Sequence, residues 1–326
     1  MNVVYASDNN FVEVFGISML SLFENNAGEE VNVYLLADNI EENNQKILLE
    51  IANNYNQKLI IIPVDVDDFS RVKLDILTWS KAAFSRMFLG TILKKYGVKR
   101  ALYLDCDVAV VGNIKELWNY NLGDKTLGMV IDPLCAAHKR NVGLKDDDPY
   151  FNSGVLLIDV EKWIENDCEN KLQDFAEAHD GMTPYVDQGL INGALHEFIK
   201  TLPLKYNVIT VYFDYSYKEL IRYRKPSGEF YSESEVEDAT SSPCIIHYTK
   251  CMFTERPWIV GSTHKKKEVW EKYKGLSPWK NSELKPKTVR GIRRVYVNIS
   301  KKLPRRLNIA IQSFLHTVIK PYYDVH

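Results

Sequence analysis

Short apolar runs alternate with amphipathic runs from the first residues of this chain, and that alternation limits the fold more than any other feature of the sequence. Apolar runs of this length predict strands, and amphipathic runs predict helices. The chain therefore begins as strand, helix, strand, helix, strand, over Val3–Ala6, Phe11–Asn25, Val31–Ala37, Glu41–Tyr55 and Leu59–Val64. This order predicts an α/β fold with a mostly parallel sheet covered by helices on both faces.

The alternation continues through the middle of the chain. With 326 residues, of which 45% are hydrophobic, the chain can bury a large core. Asn9 or Asn10 is expected to cap the first helix, and Gly228–Pro243, rich in Ser and Glu, predicts a solvated loop. Further strands are predicted at Ala101–Val111, Leu127–Ile131 and Val155–Ile158, and further helices at Ala83–Tyr96, Glu161–Ala178 and Asp187–Leu195.

Two carboxylates, Asp105 and Asp107, interrupt the apolar run Ala101–Val111. Alternate residues of a strand share a face, so we expect these two side chains to lie together. Two like charges so close favour a cation between them. Carboxylate oxygens suit Mg²⁺ or Mn²⁺, which leave coordination positions for substrate phosphates. The pattern predicts half of a metal site acting on a nucleotide diphosphate; the alternative is a strand end or tight turn with two incidental acids.

The position of these acids fits a ligand site. In open α/β sheets, ligands bind at the carboxyl ends of the strands, where Asp8 and Asp105 both fall. His247 follows the apolar strand Cys244–Ile246, which we expect to deliver it to the same sheet edge. Imidazole is a good ligand for Mn²⁺.

The cysteines and the N-terminus indicate a cytosolic protein. The five cysteines form no CxxC pair, as expected of reduced thiols, and Cys244, His247 and Cys251 lack a fourth ligand for zinc. No basic region with an apolar signal core begins the chain, and no apolar run has spanning length. Secretion and membrane spanning are not expected.

The charge is distributed unevenly. Ten Lys or Arg and no acid lie between Leu284 and Tyr323, whereas the first 283 residues hold 31 basic and 42 acidic residues. Basic amphipathic helices of this kind lie on anionic membrane surfaces; the alternative is that their apolar stripe packs on the rest of the protein. The stretch lacks a nucleic-acid module, so nucleic acid is not an expected partner. Apolar residues at helical spacing are Val289, Ile292, Val295 and Ile299, then Leu307, Ile311, Phe314, Leu315 and Val318, beside Arg290, Arg293, Arg294, Arg305, Arg306 and Lys320.

A series of motifs occurs in an order that resembles family 8 glycosyltransferases. The likeness covers roughly residues 1–275, which we interpret as the catalytic domain, and leaves 276–326 as the basic tail. An ordered series is far more specific than an isolated pair of acids. The motifs are Ala6-Ser7-Asp8-Asn9-Asn10, Arg86, Leu102-Tyr103-Leu104-Asp105-Cys106-Asp107, Phe151-Asn152-Ser153-Gly154, Asp187-Gln188, His247-Tyr248 and Pro257-Trp258.

The resemblance implies a GT-A fold enzyme that retains anomeric configuration and uses a UDP-sugar with Mn²⁺, with Mg²⁺ as the alternative ion. Asp105, Asp107 and His247 would bind the metal. The resemblance also assigns the donor contacts: Ala6, Asp8 and Asn10 would hold the uridine, Asp105 and Asp107 would also reach ribose or phosphates, and Arg86, Asn152, Asp187 and Gln188 would line the sugar. Asp187 and Gln188 would lie near the anomeric carbon as the catalytic candidates, and Asp132 would lie near donor sugar and acceptor.

Local sequence leaves other interpretations of these residues open. Asp8 and Asp187 each precede or begin a helix, where a carboxylate can simply cap. Arg86 could be a surface cation, and Phe151–Gly154 could be a turn whose Gly allows a conformation that other residues resist.

One departure from the family pattern concerns the diphosphate. Members often carry a Gly and a Lys between the His-Tyr pair and Pro-Trp, whereas this chain has a longer insert, Thr249–Arg256, without Gly. Arg256 occupies the usual place of the cation, and Lys250 is the rival. Arg would bind phosphate with a planar fork and Lys as a point charge.

The resemblance implies a hexosyltransferase that moves glucose or galactose from UDP-glucose or UDP-galactose to a saccharide or glycolipid acceptor in lipopolysaccharide, capsule or another cell-surface glycan. It is expected in the cytoplasm, peripheral on the inner face of the cell membrane. Retention of the anomeric configuration would arise either from a covalent intermediate on Asp187 or from attack by the acceptor on the face that the leaving group departs from. We favour same-face attack because the neighbouring Gln188 cannot act as a carboxylate-like nucleophile. The alternatives are a self- or protein-glycosylating transferase, a non-catalytic sugar-nucleotide-binding protein, and a nucleotidyltransferase, which would release pyrophosphate.

Overall fold

A seven-stranded mixed sheet forms the centre of the computed structural model, which describes residues 1–64, 84–180, 185–251, 253–287, 300 and 303–324. The strands of the described part are β1 (Asn2–Asp8), β2 (Asn32–Asp38), β3 (Lys58–Pro63), β4 (Arg100–Leu104), β5 (Val108–Val110), β6 (Leu127–Ile131), β7 (Phe151–Asp159), β8 (Ile199–Thr201), β9 (Val208–Ile209) and β10 (Ile245–His247). The large sheet has the order β3-β2-β1-β4-β7-β6-β8, and β5-β10-β9 form a second, small sheet.

The large sheet is mostly parallel, as predicted. β1 pairs in parallel with both β2 and β4, β2 with β3, and β6 with β8. Only β7 runs antiparallel to both of its neighbours, β4 and β6. The predicted α/β class with a mostly parallel sheet is therefore confirmed.

Helices cover the sheets. The first helix, Val12–Asn25, is buried along most of its length because β1, β5 and the helices Glu42–Asn54 and Lys267–Leu276 all contact it. The α-helices of the described residues are α1 (Val12–Asn25), α2 (Glu42–Asn54), α3 (Leu89–Lys94), α4 (Lys115–Trp118), α5 (Ala136–Arg140), α6 (Val160–Glu165), α7 (Cys168–Ala178), α8 (Asp187–Leu195), α9 (Thr210–Asp214), α10 (Tyr217–Arg224), α11 (Glu233–Ser241), α12 (Lys267–Leu276), α13 (Arg305–Phe314) and α14 (Lys320–Tyr323), with a π-helical turn at Leu315–Ile319.

Three local predictions are wrong. The predicted loop Gly228–Pro243 contains α11, because Ser232 and Glu235 form a capping box and Val236 and Ala239 are buried. The predicted helix Glu161–Ala178 is divided into α6 and α7 at Asp167, whose φ of 52° is left-handed. Asp8, rather than Asn9 or Asn10, accepts the capping hydrogen bond before α1.

The predicted helix Ala83–Tyr96 is interrupted in the described residues. A 3₁₀ turn at Arg86–Phe88 precedes α3 (Leu89–Lys94). Arg86 lies inside the protein and is only 5% exposed.

The end of the chain packs on the rest of the protein through one face. α13 contacts α10, Arg305 Nη2 donates to Glu219 Oε2 at 2.7 Å, and Asn141 Nδ2 donates to the carbonyl of Pro321 at 2.7 Å. The helical prediction beyond Pro304 is confirmed. The face that packs carries Ile309, Gln312, Ser313, His316 and Thr317, so the alternative in which the apolar stripe itself packs on the body is wrong. The predicted stretch Val289–Ile299 lies outside the described residues.

The opposite face of the same segment stays exposed. Leu307, Phe314, Val318 and Tyr322 are 49%, 54%, 49% and 60% exposed, and their spacing places them along one stripe. Lys320 lies 3.5 Å from the Tyr185 ring centroid. The basic side chains Arg305 and Lys320 thus contact the body instead of flanking the stripe.

Among the helices of the described ranges, we find none with the length and apolar character needed to cross a bilayer. All five cysteines are buried, and the described part of the chain has no disulfide between them.

Candidate active site

The chain passes from the large sheet to the small one between Asp105 and Asp107. β4 ends at Leu104 and β5 begins at Val108, so the predicted continuous strand Ala101–Val111 is wrong. The chain turns because β4 pairs with β1 and β7 whereas β5 pairs with β10. A turn, not strand alternation, brings the two carboxylates together.

His247 reaches this turn from the small sheet, not from the edge of the large one as expected. In the β5–β10 pairing, His247 lies opposite Val108, and Tyr248 N donates to the carbonyl of Asp107 at 2.9 Å. Nε2 of His247 lies 3.1 Å from Asp107 Oδ1 and 3.8 Å from Asp105 Oδ2. One candidate ligand atom from each residue lies within 4.8 Å of the others. This separation fits three ligands around one ion.

Neighbouring charges shift the pKa values of Asp107 and His247 in opposite directions. Burial alone would raise the pKa of Asp107, but His247 and Arg256 hold it below its ordinary value. Burial alone would lower the pKa of His247, but Asp107 and Asp105 raise it. Metal binding competes with the proton on such a ligand. Carboxylates and imidazole are all ligands of divalent cations, so the residues fit a divalent cation.

The other ring nitrogen of His247 contacts a residue that was not predicted from the sequence. Nδ1 lies 2.9 Å from Oδ1 of Asn207, which is fully buried immediately before β9. An Asn before a short apolar strand carries no distinguishing local signal. Asn207 can be recognised only from its hydrogen bonds to Asn152 and His247, which lie far from it in the sequence.

Arg86 joins the metal cluster to the start of α8. Its Nη2 lies 2.8 Å from Asp105 Oδ1 and its Nη1 lies 2.9 Å from Asp187 Oδ2. Burial would lower the pKa of Arg86, but the two carboxylates raise it above its ordinary value. The guanidinium also lies 4.5 Å from the Tyr103 ring centroid. Arg86 is a buried bridging cation, so the surface interpretation is wrong.

Asp187 begins α8 in an unusual backbone setting. Tyr185 and Val186 both have φ of 59°, in the left-handed region that a β-branched residue rarely adopts. Such strain concentrates at functional sites. Burial raises the pKa of Asp187 although Arg86 is adjacent, and Ser153 Oγ donates to its Oδ2 at 2.9 Å.

A buried amide network lies on the far side of Arg86. Asn152 Nδ2 and Gln188 Nε2 donate to Asp132 Oδ2 at 3.1 and 3.3 Å, and Asn152 Nδ2 also donates to Gln188 Oε1 at 3.1 Å. The predicted sugar-site residues Asn152, Gln188 and Asp132 are therefore in direct contact.

The predicted uridine residues lie at the carboxyl end of β1. Asp8 Oδ1 accepts from Phe11 N at 3.0 Å, which confirms the capping interpretation of that oxygen. The carbonyl of Ala6 accepts from Cys106 Sγ at 3.1 Å, so Ala6 abuts the metal-site turn. Asn10 is exposed, and its carbonyl accepts from Lys285 Nζ at 2.9 Å.

The two candidate diphosphate cations differ in their surroundings. Arg256 Nη2 lies 2.7 Å from Asp107 Oδ2, its Nε donates to the carbonyl of Tyr248 at 3.1 Å, and its guanidinium lies 5.6 Å from the Trp258 ring centroid. Lys250 is exposed. Arg256 is therefore held against the metal cluster.

Two acids that follow β4 and an imidazole from β10 thus form a candidate metal site beside a mostly parallel sheet. The model of glycosyl transferase family 8 matches residues 2–259, and the chain belongs to that family.

Related proteins agree with this assignment. General stress protein A of Bacillus subtilis is 24% identical over 282 residues, covering 86% of this chain and 94% of that protein. Lipopolysaccharide 1,2-glucosyltransferase of Escherichia coli K12 is 27% identical over 289 residues, covering 86% and 79%. The solved structure of galactosyltransferase LgtC with donor and acceptor sugar analogs has a TM-score of 0.71 at 24% identity, covering 85% and 96%. The last comparison supports the fold.

Proposed function

We propose that this protein is a retaining, Mn²⁺-dependent hexosyltransferase that moves glucose or galactose from a UDP-sugar to a hydroxyl of a saccharide or glycolipid acceptor. The relative in Escherichia coli that is named for lipopolysaccharide glucosylation supports an acceptor in a cell-surface glycan. The solved neighbour that holds donor and acceptor sugar analogs supports the two-substrate site.

The convergence of Asp105, Asp107 and His247 carries the proposal. Asp105 and Asp107 lie in the turn between the two sheets and His247 lies in β10, 140 residues after Asp107, yet their ligand atoms lie within 4.8 Å of one another. A divalent cation held there supplies Lewis acidity toward the negative charge that develops on the UDP leaving group.

The residues of the chain have separate roles in this proposal. Arg256 binds the diphosphate, and Ala6, Asp8 and Asn10 bind the uridine. Asn152 and Gln188 orient sugar hydroxyls with amide groups that both donate and accept. Arg86 maintains the spacing between Asp105 and Asp187 because it contacts both.

Same-face attack is the proposed route to retention. Oδ2 of Asp187 is held by Arg86 at 2.9 Å and by Ser153 Oγ at 2.9 Å. A carboxylate oxygen paired in this way is a weakened nucleophile. The acceptor hydroxyl oxygen would bond the anomeric carbon on the face that UDP leaves, as the bond from that carbon to the diphosphate oxygen breaks. The departing phosphate would accept the proton of the hydroxyl.

The exposed stripe Leu307, Phe314, Val318 and Tyr322 is the proposed contact with an anionic membrane surface, on the inner face of the cell membrane. Its four side chains are each about half exposed or more. An apolar face of this kind inserts at the headgroup boundary. The basic residues between Leu284 and Pro304 adjoin it in the sequence.

The test is a donor screen with the full-length protein. UDP-glucose, UDP-galactose and UDP-N-acetylglucosamine are each incubated with Mn²⁺ or with EDTA, and UDP and pyrophosphate are both quantified. The proposal predicts UDP release from a UDP-hexose that stops with EDTA and returns with Mn²⁺. Pyrophosphate release would indicate nucleotidyl transfer, and release of neither product would indicate a binding protein.

A further inference from the structure

Asn207 connects the metal cluster to the amide network, and its hydrogen bonds are directional. Nδ2 of Asn207 donates to Oδ1 of Asn152 at 2.8 Å, and Oδ1 of Asn207 lies 2.9 Å from Nδ1 of His247. All three side chains are buried. A buried amide with two partners has one orientation that satisfies both.

A backbone amide fixes that orientation. Gly154 N donates to Oδ1 of Asn152 at 3.1 Å, and a backbone N–H cannot accept. The oxygen of Asn152 is therefore the acceptor, and the group of Asn207 that faces it must be the NH₂. The oxygen of Asn207 then faces His247, whose Nδ1 must carry a hydrogen.

This assignment determines which nitrogen of His247 is available to a metal. Because Nδ1 carries the hydrogen that Asn207 accepts, Nε2 is the ring nitrogen whose lone pair is available to a cation. Nε2 faces Asp105 and Asp107. Metal-binding histidines commonly donate their second N–H to such a partner, which fixes the tautomer and ring orientation.

We infer that Asn207 is a positioning residue of the metal centre, holding His247 with Nε2 directed at the ion by a hydrogen-bond series that begins at Gly154 N and passes through Asn152. The inference rests on the proposed metal centre formed by Asp105, Asp107 and His247. It also makes Asn152 common to the metal and sugar sides, because Nδ2 of Asn152 donates to Asp132.

The test is Mn²⁺ binding to the full-length protein, measured by electron paramagnetic resonance from the loss of the free aqueous Mn²⁺ signal, without donor or turnover. Asn207→Leu removes the acceptor at nearly constant volume and is expected to weaken Mn²⁺ binding by about 10- to 100-fold. Asn207→Asp keeps an acceptor for Nδ1–H but loses the NH₂ that faces Asn152, and it is expected to weaken Mn²⁺ binding less than Asn207→Leu does.

A matched control separates positioning from general destabilisation. Asn26 is equally buried, its Oδ1 accepts from Ile114 N at 2.9 Å, and its Nδ2 donates to the carbonyl of Leu22 at 2.9 Å. Asn26→Leu is expected to lower thermal stability and leave Mn²⁺ affinity unchanged. Asn207→Ala removes the same acceptor without added bulk and replaces Asn207→Leu if that variant does not fold.

Two results would overturn the inference: wild-type Mn²⁺ affinity in Asn207→Leu, or equal losses in Asn207→Leu and Asn207→Asp. His247→Ala distinguishes this failure from failure of the metal centre. If the wild type binds Mn²⁺ and His247→Ala abolishes binding, a neutral Asn207→Leu overturns only the role of Asn207. If the wild type does not bind Mn²⁺, the metal centre and this inference both fall.

Discussion

Gly154 lies directly against the imidazole of His247. A Cβ on residue 154 would be 2.6 Å from Nδ1 of His247 and 3.0 Å from Oδ2 of Asp105, and closer still to Cε1 of the ring. Gly154 lies inside the extended strand β7. Gly154 is therefore needed for space, and the alternative interpretation of Phe151–Gly154 as a turn with a special glycine conformation is wrong.

We predict that Gly154→Ala weakens Mn²⁺ affinity and lowers Mn²⁺-dependent UDP release, each by about tenfold or more, since the added methyl displaces a ligand. Mn²⁺ titration of UDP release measures this. Gly275→Ala is the control, because a Cβ at Gly275 meets nothing within 4 Å. An unchanged Mn²⁺ requirement in Gly154→Ala would mean that the position of His247 does not matter for the metal.

The second prediction compares two cations. Arg256→Gln should raise the Michaelis constant for the UDP-sugar by about tenfold or more, the effect of losing one charge-assisted hydrogen bond. Lys250→Gln should change it less, because Lys250 is exposed whereas Arg256 is held by Asp107 and the carbonyl of Tyr248. The two variants remove the same charge, so each controls for the other. A larger defect in Lys250→Gln would reverse the assignment.

The third prediction concerns acid stability. Burial lowers the pKa of His264 to about 4, and its Nδ1 accepts from Lys266 N at 3.1 Å, so protonation would remove that acceptor. The unfolded chain binds the proton near pH 6.5 and the folded chain does so only near pH 4. Stability is therefore lost as pH falls through this window, by about 2 kcal/mol between pH 7.5 and pH 5 from this residue.

Urea unfolding at several pH values measures the loss. His264→Gln should flatten the dependence by about 2 kcal/mol over that range, because the residue no longer titrates. A variant with the same pH dependence as the wild type would show that His264 is not responsible.

Much of the fold could be predicted from the sequence because periodicity follows burial. Leu127–Ile131 and Asp187–Leu195 have the bounds that were predicted. The strand around Asp105 was misjudged for a physical reason. An apolar run shows that a segment is buried but not which strand it pairs with, so the change of sheet at Asp105–Asp107 is invisible locally.

The candidate site likewise contains residues that could be predicted from the sequence and one that could not. Its carboxylates, Arg86 and His247 could be identified from ordered motifs, but Asn207 could not. Asn207 is defined by hydrogen bonds to Asn152 and His247, which lie 55 and 40 residues away in the chain. Contacts of that separation exist only after folding.

The fourth prediction concerns the exposed stripe at the end of the chain. Replacing Leu307, Phe314 and Val318 together by Ser should reduce binding to anionic vesicles by roughly tenfold or more, because about half of each apolar side chain is available for insertion. Sedimentation with vesicles at low salt measures this. The fold should persist because these side chains point away from the packed face.

The control replaces three exposed apolar residues elsewhere on the surface by Ser. These are Leu49, Val260 and Leu276, which are 38%, 53% and 53% exposed. This variant should sediment as the wild type does. A wild-type protein that stays in the supernatant, or equal losses in both triple variants, would contradict the membrane proposal.

The most direct test of the whole account is the rate of UDP release from the preferred UDP-hexose, with Mn²⁺, in Asp105→Asn, Asp107→Asn and the exposed control Asp124→Asn. Each of the first two removes one charged ligand of the proposed cation, so both should lose roughly 100-fold or more while remaining folded. Asp124→Asn should keep the wild-type rate. Near-native, Mn²⁺-dependent release in both Asp105→Asn and Asp107→Asn would contradict the account.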